Sequence, residues 1–390
     1  MKILFITSST TIHGGGSKSF LQMLKGLIHC GITPLVILPD NNGLYKVLLQ
    51  MGVACIALKH SYRMSVYPQN KHTWRDIILF TPRLIYGMII NNLSCIQLIK
   101  IAKQFNPDII HTNVSVTAIG YYVARLLKIP HVWHIREYAD LDFDFHYYPS
   151  KKVQQHRYKR SNSYTICITK DVQQHHGLNN WSNSVVIYNG IFSQKELFYE
   201  KHKKDYFLFA GRIEQAKGIL PLIDAYADYR TKTKSPLPLH IAGSGNEQYV
   251  KLVQDRISQY NITKHVKFLG MRDDILSLYR EATAIIVPSI SEGFGRITAE
   301  AMFSGCLVVG NDTAGTKEQF DNGTEITKEE IGLRYTTHDL LVKHLLDITA
   351  QHIETYEPMI LRGQKTATIL YTTEQHAKYV YEFYNKITLK

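Results

Sequence analysis

The sequence predicts an α/β protein with two doubly wound, parallel-sheet domains of Rossmann size. Residues 284–311 open with an apolar run, break at Pro288, cross a glycine-rich turn and then take up helical spacing, which is the pattern of strand, loop and helix. A comparable strand and glycine-rich turn stand near the amino terminus, and another at residues 206–218. A chain of 390 residues with 45% hydrophobic content can bury two such cores. Because the phosphate-type turn recurs in both halves, we expect two domains.

The amino-terminal turn, residues 10–19, lies between a buried strand at residues 3–6 and a helical pattern. Its glycines, Gly15 and Gly16 among them, can bring backbone amides against a pyrophosphate. The turn is not a Walker A loop, since no glycine precedes Lys18, and it is not a G-x-G-x-x-G fingerprint. The sequence therefore predicts a phosphate contact here and supports a dinucleotide site only weakly.

Two later strands of the first half end near histidines, His111 and His134. In a doubly wound sheet, the carboxyl ends of these strands share one edge with the glycine turn. A lone histidine at such a place is usually structural. Two at one edge, with Arg136 and Glu137 after the second, favour a site.

An acidic segment follows, in which Asp140, Asp142 and Asp144 alternate with other residues. Two carboxylates spaced in this way could hold Mg²⁺ or Mn²⁺ and a nucleotide sugar. A site of that kind belongs to a fold with one nucleotide domain, whereas phosphate-type turns recur here in the second half. We therefore interpret the acids as part of an acceptor loop and expect no metal site.

Positive charge is concentrated in the first half of the chain. Residues 1–200 hold 21 Lys plus Arg against 10 Asp plus Glu, which gives +11 of the +12 net charge. Residues 59–105 combine basic and aromatic side chains, a mixture that suits an anionic membrane surface better than nucleic acid. A generally basic surface is the plain alternative. The charged residues of this stretch are Lys59, Arg63, Lys71, Arg75, Arg83, Lys100 and Lys103, with Asp76 as the single acid.

The sequence predicts no segment that spans a bilayer, because no apolar run reaches eighteen uninterrupted residues and the best stretch, residues 84–90, is followed by Asn91 and Asn92. The apolar run at residues 3–6 is too short for a signal peptide. Five scattered cysteines form neither a disulfide framework nor a metal motif. We therefore expect a cytoplasmic protein that is peripheral on the inner face of the plasma membrane.

A charged seam at residues 194–205 separates the halves, and a new strand begins at residue 206. Arg212 and Lys217 flank the strand-to-helix turn that follows, so both cations can reach one diphosphate. The plain alternative is two surface cations. We place the first domain at residues 1–200 and the second at residues 201–370.

The turn within residues 284–311 carries two carboxylates, Glu292 in the loop and Glu300 in the following helix. The amino end of that helix favours a phosphate, and Gly293 and Gly295 would let a ligand approach the backbone closely. Because acids repel phosphate, the two carboxylates more plausibly accept hydrogen bonds from hydroxyl groups on either side of it. The plain alternative is that both are solvated acids.

Four motifs together resemble the retaining glycosyltransferases of family 4. They are the E-G-F-G turn followed by E-A-M, the G-R-x-x-x-x-K-G turn, the W-H-x-R-E strand end and the amino-terminal glycine turn. This resemblance implies the GT-B fold, with two Rossmann-like domains facing across a cleft. It also implies that a helix within residues 371–390 returns to the first domain. Gly315-Thr316-Lys317-Glu318 departs from the family pattern Gly-Gly-x-x-Glu by the loss of the second glycine.

The resemblance also implies roles for individual residues. Glu292 would bind hydroxyls of the donor sugar, Glu300 the ribose, and Leu269 would lie near the base. The catalytic residues would be Glu292, His134, Arg212 and Lys217, with His134 on the acceptor side. The donor-binding residues would be Gly15, Gly16, Arg212, Lys217, Gly243, Leu269, Glu292, Gly293, Phe294, Gly295 and Glu300.

The function implied is transfer of a sugar, of the hexosyltransferase type, from a nucleoside diphosphate sugar to a hydroxyl, with retention and without metal or cofactor. The basic first half points to a lipid-linked saccharide as acceptor, in the assembly of a surface polysaccharide such as O-antigen or capsule. No redox, hydrolytic or metal constellation competes. A nucleotide-sugar epimerase of the same architecture and a non-catalytic membrane scaffold remain as alternatives.

Overall fold

The structure is a computed structural model that describes residues 1–8, 10–12, 14–68, 75 and 78–389. It divides into one unit of Met1–Gly190 with Thr373–Lys390 and a second unit of Ile191–Thr372. The division therefore falls before the predicted boundary at residue 200, because residues just after Gly190 pack on the second unit. The Phe192 ring, for example, lies 5.4 Å from the ring of Phe303. Lys71 and Asp76, named in the sequence analysis, lie outside the described ranges, as do His13 of the amino-terminal turn and Trp74 of the stretch at residues 59–105.

The first unit is built on a seven-stranded sheet in the order β3-β2-β1-β5-β6-β8-β9, in which every pair is parallel. Its central strands are buried almost throughout, as is typical of parallel sheets covered on both faces. β4 and β7 form a separate antiparallel pair. The strands are β1 (Lys2–Ile6), β2 (Thr33–Leu38), β3 (Ala54–Ala57), β4 (Val66–Pro68), β5 (Ile109–Thr112), β6 (His131–Ile135), β7 (Phe145–Tyr147), β8 (Ser163–Cys167) and β9 (Ser184–Val186).

Helices cover both faces of this sheet, and the last helix of the chain packs on the first. Their contact is close because Gly26 has no side chain, since a Cβ there would lie 2.4 Å from the Cβ of Ala377. The helices are α1 (Gly15–His29), α2 (Gly43–Gln50), α3 (Phe80–Phe105), α4 (Ile119–Leu127), α5 (Asp140–Phe143), α6 (Lys151–Tyr158), α7 (Lys170–His175) and, at the end of the chain, α15 (Thr373–Thr388).

The second unit is built on a six-stranded parallel sheet in the order β12-β11-β10-β13-β14-β15. The predicted α/β class with two parallel-sheet domains is therefore confirmed. The strands are β10 (Lys204–Ala210), β11 (Leu239–Ala242), β12 (Val266–Gly270), β13 (Ala282–Val287), β14 (Leu307–Asn311) and β15 (Leu333–Tyr335).

Helices alternate with these strands along the chain, as the right-handed crossover of parallel strands requires. They are α8 (Ile219–Lys232), α9 (Glu247–Gln259), α10 (Ile275–Glu281), α11 (Arg296–Phe303), α12 (Ala314–Thr327), α13 (His338–Ala350) and α14 (Glu357–Leu370).

Among the described residues, one helix, α3, is long and apolar enough to cross a membrane by length and composition alone. Only 11% of its most apolar 18-residue window is buried. No such segment was expected from the sequence, because Asn91 and Asn92 interrupt the apolar run. The structure continues the helix through both asparagines.

Candidate functional site

In the second unit, the turn after β10 and the loop after β13 lie side by side at the carboxyl edge of the sheet. The backbone N–H of Ile290 donates to the carbonyl oxygen of Ala216 at 3.0 Å and ties the two together. Gly218 allows this approach, since its φ is +66° and a Cβ there would lie 2.0 Å from the carbonyl oxygen of Pro288. The predicted phosphate turn and the predicted hydroxyl-binding loop are thus held together by the backbone.

The neighbouring strand end also approaches closely, because Gly243 has a φ of +142° and a Cβ there would lie 1.8 Å from the carbonyl oxygen of Gly211. Its N–H donates to the carbonyl oxygen of Gly270 at 2.8 Å. Leu269, expected near the base, is the half-buried residue just before Gly270 on the edge strand β12. Gly243 therefore has a packing role that would require glycine even without a ligand.

Lys217 and Glu292 form an ion pair in which the two side chains are 13% and 19% exposed. Both were predicted as site residues from separate motifs, and the structure brings them into contact. Arg212 lies five residues before Lys217 but is 63% exposed, and its Nη2 lies 3.0 Å from Oε1 of Glu214. One predicted cation is therefore sheltered and paired with a site carboxylate, while the other extends into solvent.

The backbone of the loop that contains Glu292 is fixed by helix α12. The N–H of Gly315 donates to the carbonyl oxygen of Glu292 at 2.9 Å, and Nε2 of Gln319 donates to the carbonyl oxygens of Phe294 and Gly295. Gln319 is fully buried, so these bonds are sheltered from water. Gly295 has a φ of +81° and directly precedes α11.

Gly315 also corrects the register of the motif that the sequence analysis placed there. The residue in the left-handed region is Ala314, with a φ of 47°, one position before Gly315. A Cβ on Gly315 would lie 2.5 Å from the carbonyl carbon of Phe294. The family pattern therefore begins at Ala314, so the first glycine is replaced and the second is present.

The side chain of Phe294 is part of the core. It is 3% exposed, and its ring packs edge-on against that of Tyr371 at 5.4 Å. The prediction of donor contact at Phe294 is therefore limited to its backbone, because the loop must bury this ring to hold its shape. Gly293, next to it, is half-buried.

Glu300 in α11 is held by two neighbours that the sequence analysis did not single out. Nη2 of Arg296 lies 2.9 Å from Oε1 of Glu300, and the hydroxyl of Tyr279 donates to Oε2 at 3.3 Å. Burial and then the nearby Glu300 carboxylate raise the pKa of Tyr279 well above its usual value. The four-residue spacing of Arg296 and Glu300 on a helix was the available signal for this pair.

In the first unit, Gly15 and Gly16 form the first turn of α1 instead of a loop. Both are exposed, and a Cβ on Gly16 would meet no atom within 4 Å. Gly14, at the N-cap position, has no side chain that could accept a hydrogen bond from the first turn. The free N–H groups of this helix end are therefore not capped by the preceding side chain.

His134 is fully buried within β6, where it was expected to reach an acceptor. Its ring lies 5.3 Å from that of His111 and 5.9 Å from that of His376, both also buried. Burial and then the Arg136 guanidinium hold the pKa of His134 well below its usual value. Because His134 is buried, an acceptor could reach it only if its surroundings moved, and its direct contact with an acceptor stays a prediction.

Arg136, two residues further on, is half-buried and directly follows β6. Its Nε donates to Oδ1 of Asn113 at 2.9 Å, its Nη1 donates to Oδ1 of Asn189, and its Nη2 lies 3.3 Å from Nδ1 of His134. Asn113 directly follows β5, so the guanidinium is fixed where neighbouring strands end. The signal in the sequence was its position directly after the strand.

The alternating acids take part in local contacts. Asp142 accepts from the N–H groups of Tyr138 at 3.0 Å and Ala139 at 2.8 Å. Asp140 pairs with Lys151 at 3.0 Å and with His175 at 2.6 Å. Within the described ranges, no group of three His, Cys, Asp or Glu residues is placed to hold a metal ion. Metal independence itself stays a prediction.

Two family models together match most of the chain. Residues 13–194 match the model described as Glycosyltransferase Family 4, and residues 192–365 match that described as Glycosyl transferases group 1. Their junction coincides with the division between the two structural units.

Individual proteins are similar to this chain in sequence or in fold. An uncharacterized glycosyltransferase of Methanocaldococcus jannaschii is 27% identical over 56% of this chain, and the chain spans 60% of that relative's length. The crystal structure of Anabaena HepE in complex with UDP superposes with a TM-score of 0.76 at 19% identity, covering 99% of this chain and 100% of that one. The lipopolysaccharide outer core galactosyltransferase WaaB superposes with a TM-score of 0.69 at 17% identity, covering 99% and 100%.

Proposed function

We propose that the chain transfers a sugar from a nucleoside diphosphate sugar to a saccharide hydroxyl, with retention. The match of each half to a glycosyltransferase family model, together with the GT-B fold, supports this proposal. The observation that carries this proposal is the contact between Lys217 and Glu292 beside the exposed Arg212. A diphosphate needs cations, and the adjoining sugar needs hydrogen-bond acceptors. In this site a cation, Lys217, and a hydrogen-bond acceptor, Glu292, are in direct contact.

Donor binding would exchange the partners of this ion pair. The diphosphate would take Lys217, and Arg212 would turn to it as a planar fork with two parallel donors. Glu292 would then accept hydrogen bonds from hydroxyls of the donor sugar. The diphosphate would therefore compete with Glu292 for Lys217.

In the transfer step, the bond between the anomeric carbon and the diphosphate oxygen breaks, and a bond from that carbon to the acceptor oxygen forms on the same face. The acceptor's proton passes to the departing diphosphate. The charge that develops on the diphosphate is stabilised by Arg212, by Lys217 and by the amino end of α11 after Gly295. Glu292 fixes the sugar and takes no proton in this scheme.

The acceptor belongs, in this proposal, to the first domain. There Arg136, fixed by Asn113 and Asn189, would bind the acceptor, and His134 would act only by supporting Arg136. The positive charge of residues 1–200 favours a lipid-linked saccharide at an anionic membrane, as in surface-polysaccharide assembly. The similarity in fold to a lipopolysaccharide galactosyltransferase supports that choice.

The experiment that tests the function begins with the donor. Crystal structures of HepE hold UDP and UDP-glucose, so UDP-sugars are screened first for an increase in melting temperature, followed by GDP- and ADP-sugars. The stabilising donor is then incubated with membrane lipid extracts, and transfer of labelled sugar is measured. Stabilisation with transfer supports the proposal. Isomerised donor without transfer would identify an epimerase, and no stabilisation by any donor would leave a non-catalytic scaffold.

A further inference from the structure

Helix α3 exposes a continuous aliphatic stripe. Ile85, Ile89, Leu93 and Ile96 follow one another at helical spacing, and each is between 39% and 55% exposed. At 1.5 Å per residue the stripe extends over roughly 17 Å. Met88, 49% exposed, widens it on one side. Single exposed apolar residues are ordinary on protein surfaces, but a stripe of this length on one helix is not.

The opposite face of α3 is fixed to the first unit. Leu98 and Ala102 are buried in a core shared with α4. Three polar side chains on or beside this face bind the backbone of a preceding segment. They are Asn91, which accepts from Arg63 N–H at 2.7 Å, Ser94, which donates to the His60 carbonyl at 2.8 Å, and Gln97, which accepts from Lys59 N–H at 3.1 Å.

These attachments decide between two ways in which α3 could meet a bilayer. A helix that crosses the hydrocarbon core would have to release Asn91, Ser94 and Gln97 from their partners and expose the core beneath it. A helix that lies along the surface keeps every one of these contacts and brings only its exposed stripe to the lipid. The geometry therefore points to an in-plane arrangement.

The charges on α3 indicate the type of membrane surface that the helix would bind. The helix contains no acidic residue, and its basic residues, Arg83, Lys100 and Lys103, are all exposed. Lys100 and Lys103 continue the direction of the aliphatic stripe beyond Ile96, since they follow it at the same helical spacing. Aliphatic residues flanked by cations match the interface of an anionic membrane, where headgroups lie beside acyl chains.

We propose that α3 is an in-plane membrane anchor whose stripe of Ile85, Ile89, Leu93 and Ile96 enters the acyl boundary of an anionic membrane. This extends the membrane part of the proposed function and rests on it, but it requires neither donor nor acceptor for its test. Compared with the expectation based on sequence, it assigns the main apolar contact to aliphatic residues of one helix.

The test compares two matched variants of the full chain in co-sedimentation with vesicles of phosphatidylcholine, with and without phosphatidylglycerol. The first variant is Ile85→Ser, Ile89→Ser, Leu93→Ser and Ile96→Ser. The control makes the same kind of change at four exposed apolar helix positions elsewhere: Leu49→Ser, Leu252→Ser, Leu361→Ser and Ile369→Ser.

From the apolar area that each half-exposed side chain would bury, the stripe variant is expected to partition about 10²–10³-fold more weakly to phosphatidylglycerol vesicles. The control is expected to bind like the unmodified protein. Because all changed side chains are exposed, both variants should melt within a few degrees of the unmodified protein, and nucleoside diphosphate binding should be the same in both. Loss of membrane binding with intact nucleotide binding separates this inference from the transfer reaction.

Three outcomes would overturn the proposal. One is absence of binding by the unmodified protein to either vesicle. Another is equal binding by the stripe variant and the control. The third is a change in oligomeric state, measured by light scattering, in the stripe variant without a change in vesicle binding, which would assign the stripe to a second copy of the chain.

Discussion

Replacement of Glu292 by Gln separates the two roles that the structure gives to its contact with Lys217. Lys217 is paired with Glu292 in the structure, and both side chains are largely sheltered. Binding of a nucleoside diphosphate without its sugar would need Lys217 but not Glu292. Glu292→Gln keeps the size of the side chain and removes its charge, so Lys217 is no longer held by a competing anion. We therefore expect the variant to bind UDP more tightly and to turn over more slowly.

The size of each effect follows from the environment of the pair. A sheltered but not fully buried ion pair is worth about 1 kcal/mol, so its removal should tighten binding of UDP by about fivefold. Loss of a hydrogen-bond acceptor aligned on the reacting sugar should lower kcat by about 10²–10³-fold. Isothermal titration with UDP and a UDP-release assay with the intact donor measure the two effects. Glu281→Gln, which breaks the exposed pair with Lys204, is the control. Weaker binding of UDP together with normal turnover would refute the partner exchange.

Three further predictions concern the remaining site residues. Arg212→Ala should lower kcat by about 10²–10³-fold with the fold retained, whereas Arg256→Ala, which removes a half-buried paired arginine of helix α9, should leave turnover unchanged; near-normal turnover of the first variant would remove Arg212 from the site. Activity should persist in excess chelator, and complete loss that returns with added Mg²⁺ or Mn²⁺ would indicate that the acidic segment around Asp142 binds metal. Arg136→Ala should raise KM for the acceptor by at least tenfold without weakening donor binding. His134→Phe should change this KM less and lower the melting temperature more. The reverse pattern would assign the acceptor contact to His134.

The turns of the second domain could be predicted from local sequence patterns, because the glycines in each motif are required by the backbone geometry of the turn itself. Glycine at residue 243 or 218 is also required by close backbone contacts with the neighbouring turn or loop. The contact between Lys217 and Glu292 could not be read from the sequence, since 75 residues separate them and only the sheet topology brings them together.

The burial of the histidines in the first domain could not be predicted from the sequence, because it depends on packing across many elements. His134 has the residue type of a catalytic group, but helix α15 brings His376 within 5.9 Å of it and closes that face of the strand. A helix more than 200 residues away in the chain gives no local signal at residue 134. Helix α3 was not predicted as one continuous helix for a different reason. Two asparagines interrupt its apolar run, but the helix continues through them.

Retention of configuration during transfer from a nucleoside diphosphate sugar is the central feature of the proposed reaction. The measurement is nuclear magnetic resonance of the purified product, formed from the donor that stabilises the protein and an acceptor from membrane lipids. A product whose anomeric carbon keeps the configuration of the donor is the result predicted here. A product of inverted configuration, or a donor isomerised with no sugar transferred, would contradict the mechanism built on Arg212, Lys217 and Glu292.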